Sequence, residues 1–424
     1  MEFVTIVTLI TIALNICLLT FTRINADVVH LLTLVILTST GILTVSEAYD
    51  GFTTSAALTL ALLTVIVKVI QNMGAMDYIM ALVCGKKVPS TPRVVLRLMS
   101  TASVMSTVIS NTVVATVFFD PVSQWARKHG IAPSRLILPI CYAIAVGSCC
   151  TIIGTGNNLL ISDMYHELTD KSIGFFEPFA AGVVLTLVGI TYIMLINRLF
   201  PDNAPADDAE EMVVKTPKTM SADAANVPDR KKFIALALLL TIIVGSCLGL
   251  FSIINGCSVG IILLAAMRCM GNKEAWSYIP WSQLLLFADF NAIANCIDRS
   301  ELDTMAADLV LGICGGSDLL MPIMLIVGLS LLLKVVISSY AIVAILVPVS
   351  VTTASMLGCS VMPFLMGIMF STAFGFTTPY IGAMESMALS YGNYTLKDMA
   401  RFGIPFTLIM YATTIATCML FYTR

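Results

Sequence analysis

Apolar runs of about twenty residues recur along the first half of this chain, at roughly 2–20, 28–46, 52–72, 135–165 and 177–199, the length that a bilayer's hydrocarbon core demands of a helix. Hydrocarbon offers no partner to a free N–H or C=O, so runs of this kind fold as helices that bond their own backbone. Charged residues make up 12% of the chain and hydrophobic residues 58%, whereas a soluble domain carries about 25% charge. The mean hydropathy of +0.93 completes the case for an integral membrane protein and excludes a water-soluble enzyme. A length of 424 residues divides into roughly ten spans, with none left for a separate soluble domain. A net charge of −3 gives no basic footprint, so nucleic acid is not an expected partner. Most of the twelve cysteines, Cys17, Cys141, Cys149, Cys150, Cys247 and Cys418 among them, lie in apolar runs without a CxxC pair and read as packing residues. The stretch from Met1 has no basic n-region or cleavage site and reads as a retained first helix.

Residues 93–127 break the pattern of simple spans. An apolar ascent reaches a polar apex, Ser110-Asn111-Thr112, and a second ascent ends at Asp120-Pro121; Arg93 and Arg97 stand at one foot, Arg127 and Lys128 at the other. Basic residues at both feet suggest a re-entrant hairpin. A polar stretch over 201–231 is too hydrophilic to insert and too short to fold alone, and reads as a linker. The second half then repeats the first at an offset of roughly 230 residues, with runs near 232–254, 257–270 and 281–297, a hairpin over about 318–354, and runs at 361–391 and 402–422. Ile109-Ser110-Asn111-Thr112 is answered by Ile337-Ser338-Ser339-Tyr340, and Pro121 by Pro348. Each hairpin is followed by a broken span, about 135–165 with Gly154-Thr155-Gly156-Asn157-Asn158 and about 361–391 with Gly375-Phe376-Thr377-Thr378-Pro379. Five spans per half is an odd number, so the expected fold is all-α and polytopic, with two inverted repeats over 1–200 and 232–424.

Lysine and arginine in short loops stay in the cytosol, which orients this arrangement. Eighteen basic residues, from Arg23 through the Arg198–Lys232 region to Lys397 and Arg401, fall on one face, and only Lys171, Arg299 and Arg424 on the other; Lys68 and Lys334 lie inside spans. The termini are expected outside the cell membrane and the 201–231 linker in the cytosol.

Irregular backbone inside a membrane is tolerated where it lines a cavity or ligand site, and inverted repeats with discontinuous helices are the pattern of secondary transporters. The expected substrate site is lined by Ser110, Asn111, Thr112 and Thr155 from the first half and by Ser338, Ser339, Tyr340, Thr378 and Pro379 from the second. Neutral hydroxyl and amide donors suit a carrier, because they bind an anion and still release it. The runs Ser110-Asn111-Thr112, Pro133-Ser134-Arg135-Leu136, Gly147 through Leu160, Asp27 through Leu34 and Phe402-Gly403-Ile404-Pro405 resemble the divalent-anion/sodium symporter family of the ion-transporter superfamily. The likeness spans nearly the whole chain. It implies an elevator-type carrier working as a homodimer, Ser-Asn-Thr tips that bind the carboxylates of a dicarboxylate, and two sodium ions beside them as coupled cargo, with no organic cofactor.

Carried over to this sequence, the first sodium site would involve Asn111 with backbone near Ser106 and Gly154. The second tip departs from the family pattern, since Ser339 replaces the amide and Tyr340 the threonine, and Lys334 lies where the second sodium cage is expected. The Lys334 ammonium is therefore expected to stand in for that sodium, against the alternative of a lysine snorkelling from the hairpin foot. Among the other polar residues, Asp120 reads as a polar cap, Asp289, Asp298 and Glu301 as the outer end of a span and an interfacial helix, and His30, His129 and His166 as interfacial; Glu385 either lines the cavity or pairs with a scaffold residue. An intramembrane aspartyl protease would need aspartate where Gly154-Thr155-Gly156-Asn157 has asparagine, and neither Ser110 nor Ser338 has a histidine nearby in sequence. The expected activity is sodium-coupled transport of a small divalent anion, a C4-dicarboxylate first and a sulfate-like oxyanion second, with sodium-independent anion exchange on the same fold as the alternative.

Overall fold

The computed structural model describes residues 2–22, 24–74, 91–201, 228–270, 276–315, 319–375 and 382–423, and among these the regular structure is entirely helical. Helices α1 (Glu2–Phe21), α2 (Ala26–Ser39), a short α3 (Val45–Tyr49) and α4 (Ser55–Asn72) are followed by α5 (Thr91–Ser106) and α6 (Asn111–Lys128). Next come α7 (Ile137–Gly147), α8 (Gly156–Thr169) and α9 (Phe179–Ile196). Beyond the 202–227 region lie α10 (Asp229–Cys247), α11 (Ile253–Ala266), α12 (Trp281–Arg299) and α13 (Leu302–Cys314). The chain closes with α14 (Leu320–Leu333), α15 (Ser339–Leu357), α16 (Met362–Ala373), α17 (Ala383–Gly392) and α18 (Leu396–Phe421). Six helical stretches among the described residues are long and apolar enough to cross a bilayer, so the protein is multi-pass.

Local chemistry sets several helix starts. Thr54 caps α4 by accepting from the Ala57 N–H, and a reciprocal Thr395–Asp398 capping box opens α18. Pro121 and Pro348 sit inside α6 and α15; lacking an N–H, each leaves a carbonyl one turn earlier without its helical donor.

The molecule is built around two short helices. All residues of α7 are buried, as are all those of α16 from Pro363 onward, which is where a helix apolar on every side belongs. Around them the packing partnerships come in corresponding pairs. Helix α5 lies on α7 as α14 lies on α16, and α9 lies on α7 as α18 lies on α16. The arms also cross between halves, α6 against α17 and α15 against α8, while α2 packs on α12 and α11 on α4.

Two expectations about polar residues are corrected here. Asp289, assigned above to the outer end of a span, lies in the middle of α12 and is 0% exposed; His30, assigned to the interface, is 2% exposed. The two side chains meet at 2.5 Å. Unpaired, a carboxylate inside a span is costly, which argues for the span's end, but a partner 259 residues away removes that objection.

Candidate functional site

Between α7 and α8 the backbone leaves helical geometry. Short 3-10 turns at Ser148–Cys150 and Ile152–Gly154 flank Thr151 (φ −143°, ψ 162°), and Thr155 (φ −138°, ψ 157°) precedes α8. An interrupted helix strands carbonyls on one side and N–H groups on the other, and Asn158 bridges the gap. Its amide donates to the Ser148 carbonyl at 3.1 Å and the Thr151 carbonyl at 2.9 Å, while Thr155 Oγ1 donates to its Oδ1 at 2.7 Å. The α5–α6 tip touches this break, since the Thr151 hydroxyl donates to the Thr107 carbonyl. A Cβ on Gly147 would lie 2.3 Å from the Ser103 carbonyl oxygen, and one on Gly154 would lie 2.2 Å from that of Ser148. Only glycine allows these approaches.

At the first tip, the fully buried Ser106 hydroxyl donates to Asn111 Oδ1 at 2.8 Å, joining the end of α5 to the start of α6. Ser110 occupies the N-cap position of α6, yet its hydroxyl makes no capping bond. The N-terminal end of α6 therefore keeps donors that no side chain occupies, an arrangement that favours anions.

The second tip is built differently at equivalent positions. Ser338, N-cap of α15, accepts from the Ala341 N–H at 3.3 Å. Four residues earlier, where the first tip has Ser106, stands Lys334. It is 8% exposed, and its Nζ donates to the Thr372 carbonyl at 2.5 Å; the Ser339 hydroxyl donates to the same oxygen at 3.3 Å. Thr372 lies in the last turn of α16, the negative end of that helix's dipole. The lysine thus turns inward rather than snorkelling. A Cβ on Gly375 would lie 2.5 Å from Lys334 Cδ, so the chain leaving α16 wraps the lysine stem. Glu385, also buried, sits at the third position of α17 as Asn158 does in α8.

The two halves meet through Tyr340. Its ring stacks on Phe290 at 6.4 Å and 9°, meets Phe287 edge-on, and sets its hydroxyl 2.3 Å from where a Cβ on Gly156 would stand. Of the residues expected at the site, Ser106 and Asn111 are brought together, Lys334 and Ser339 converge on Thr372, and Tyr340 reaches Gly156 beside Thr155. Thr112 lies on the exposed side of the first turn of α6. Thr378 and Pro379 lie outside the described residues. Sequence reasoning missed the roles of Asn158, the Thr372 carbonyl and Phe290. Only Asn158 carried a signal, its spacing of three from the capping Thr155.

A profile described as "Citrate transporter" matches residues 16–349. The "Probable sodium/sulfate cotransporter 3" of Chlamydomonas reinhardtii is 29% identical over 209 residues, 47% of this chain and 23% of that protein. The aligned part spans less than a third of the length of the first curated relatives. Two solved transporters share the fold. The Alcanivorax borkumensis YdaH transporter superposes with a TM-score of 0.62 at 15% identity, over 94% of this chain and 90% of its own. Neisseria gonorrhoeae MtrF, described as illuminating a class of antimetabolite efflux pumps, superposes with a TM-score of 0.59 at 14% identity, over 91% and 85%.

Proposed function

The chain belongs to the citrate transporter family, and from that membership we propose that this secondary carrier moves a small divalent anion, a C4-dicarboxylate or a sulfate-like oxyanion, in symport with sodium. The observation that carries the reading is the Lys334 ammonium on the Thr372 carbonyl, at the sequence position corresponding to Ser106. A carbonyl at the C-terminal end of a half-helix is where a carrier holds a cation. In the first half the oxygens of Ser106 and Asn111, with backbone near Gly154, hold a sodium ion as cargo; in the second a tethered ammonium takes the ion's place. Ser110 and the uncapped start of α6 receive one end of the anion, and Thr155, Ser338, Ser339 and Tyr340 the other, with Tyr340 limiting its size.

The corresponding packing pairs support two inverted repeats, over 1–200 and 232–424. On this reading α5–α6 and α14–α15 are re-entrant hairpins, both termini face outward, 201–231 is cytosolic, and the carrier is an elevator-type homodimer in the cell membrane. Electrical arithmetic favours a second mode. One sodium with a dianion moves one net negative charge inward, at about 2.3 kcal/mol per 100 mV of inside-negative potential, whereas anion exchange moves none. The test is uptake of labelled sulfate, succinate and citrate into proteoliposomes under sodium, proton or counter-anion gradients. Stimulation by sodium with first-order dependence supports symport. Second-order dependence in the unaltered protein would remove Lys334 from its role, and counterflow without sodium would establish exchange.

A further inference from the structure

Helix α1 is mostly exposed, with Phe3, Ile6, Leu9, Ile10 and Leu14 facing outward, yet the three fully buried residues among those described in it are all polar: Thr8, Thr11 and Asn15. Their spacing places them on one face, and that face runs along α12. Near one end Thr5 Oγ1 donates to the Ser300 carbonyl at 3.2 Å, and ten residues further on Asn15 Nδ2 donates to Asp289 Oδ2 at 2.9 Å. The same amide donates to Thr33 Oγ1 at 2.8 Å, and His30 Nδ1 meets Asp289 Oδ2 at 2.5 Å. Polar residues between membrane helices serve as glue by bonding one another, but this group is incompletely bonded. Thr8 Oγ1, Thr11 Oγ1, Asn15 Oδ1 and Asp289 Oδ1 are buried without a hydrogen-bond partner. Two of these, Asn15 Oδ1 and Asp289 Oδ1, are acceptors short of a donor.

A buried His–Asp pair is uncharged overall when it holds one proton beyond neutral imidazole and carboxylate; without that proton it leaves a net negative charge in the membrane. We propose that the Asp289–His30 pair is a proton-binding site, loaded from the Thr5–Ser300 end of α1 along Thr8, Thr11 and Asn15 with water completing the path. The proton comes from bulk water and returns to it. Among the described residues, the titratable groups on the elements packed against α12 include His30 and Asp27 of α2, the latter accepting from Ser282 at 2.9 Å, Glu47 of α3, which is engaged with Arg299, and Asp50 in the turn after α3. Asp163 of α8 is bonded to Asn291 at 2.9 Å, α15 brings Tyr340, α13 brings Asp303, which is bonded to Thr352, and the described buried face of α1 brings none.

The site also has a readout. His30 packs edge-on against Phe290 at 5.5 Å and 69°, and Phe290 stacks on Tyr340, whose hydroxyl abuts Gly156. Proton occupancy therefore bears, through one aromatic layer, on the tip assigned above to the anion. That second step rests on the proposed carrier function; proton binding does not.

The experiment is infrared difference spectroscopy on the purified full chain without any anion substrate, stepping from about pH 8 to about pH 5. A carboxylic-acid or imidazolium band that titrates in the unaltered protein, is lost in Asp289→Asn and is altered in His30→Gln is the expected result. Thr11→Val is expected to keep the band and slow its appearance. An Asp289→Asn spectrum that titrates like the parent, or no titrating band in the parent, would overturn the proposal. The spectrum needs no transport, so a titrating Asp289 band alongside failed uptake of every anion would reject the carrier reading and leave the proton site standing.

Discussion

Asn111 and Tyr340 concentrate the chemistry of the two tips. Asn111→Ala removes the amide bonded to Ser106 and is expected to abolish sodium-stimulated uptake; unchanged sodium stimulation would take Asn111 out of the site. Gly156→Ala would drive a methyl group into the Tyr340 hydroxyl, and overpacking of this kind costs about 1–3 kcal/mol. Uptake is expected to fall, and Tyr340→Phe in the same chain to restore part of it. A failure of rescue would mean that the phenol is not what meets the methyl. Lys334→Ala leaves the Thr372 carbonyl with only the Ser339 hydroxyl and is expected to steepen sodium dependence from a Hill coefficient of about one towards about two. At this scale the tips were legible as Ser-Asn-Thr and its altered copy, because a polar apex between apolar arms stands out along the chain. Tyr340 against Gly156 was not legible, since no periodicity links residues in different halves. Asp289 was misplaced because its partners His30 and Asn15 come from distant helices.

At the level of elements, Asn158 decides whether the α7–α8 interruption keeps its shape. Asn158→Ala strips the donors from two buried carbonyls, Ser148 and Thr151, each worth about 1–3 kcal/mol when left unmet. A clear drop in melting temperature is expected, whereas Asn158→Asp, which keeps an acceptor for Thr155 but loses the donors, should recover little of it. Gly182 poses a similar constraint, since a Cβ there would lie 2.5 Å from the Cys149 carbonyl and press α9 off the break. Helix existence and approximate limits could be read from apolar length, and the interruption from Gly154-Thr155-Gly156. What bridges an interruption could not, because a hydrogen bond from Asn158 back to Ser148 leaves no trace in hydropathy.

For the whole molecule, the charge moved per cycle is the sharpest discriminant. If one sodium accompanies one dianion, an inside-negative potential is expected to slow net uptake and leave counterflow untouched; acceleration by that potential would require further cations and exclude the single-sodium scheme. Membrane embedding and an all-helical fold followed from the run lengths alone. The partnerships of α6 with α17 and α15 with α8 became visible only in three dimensions, since they join segments that lie in different halves of the chain.

The lysine at the second tip carries a consequence for habitat. A dissolved ion leaves its cage as the medium freshens, whereas an ammonium on its own stem beside Thr372 cannot be diluted. If, as proposed, the ammonium replaces one of two sodium ions, a cell using this carrier would lose scavenging power with the first power of external salinity rather than the second, and would keep feeding in water too fresh for a carrier that must recruit both ions from outside.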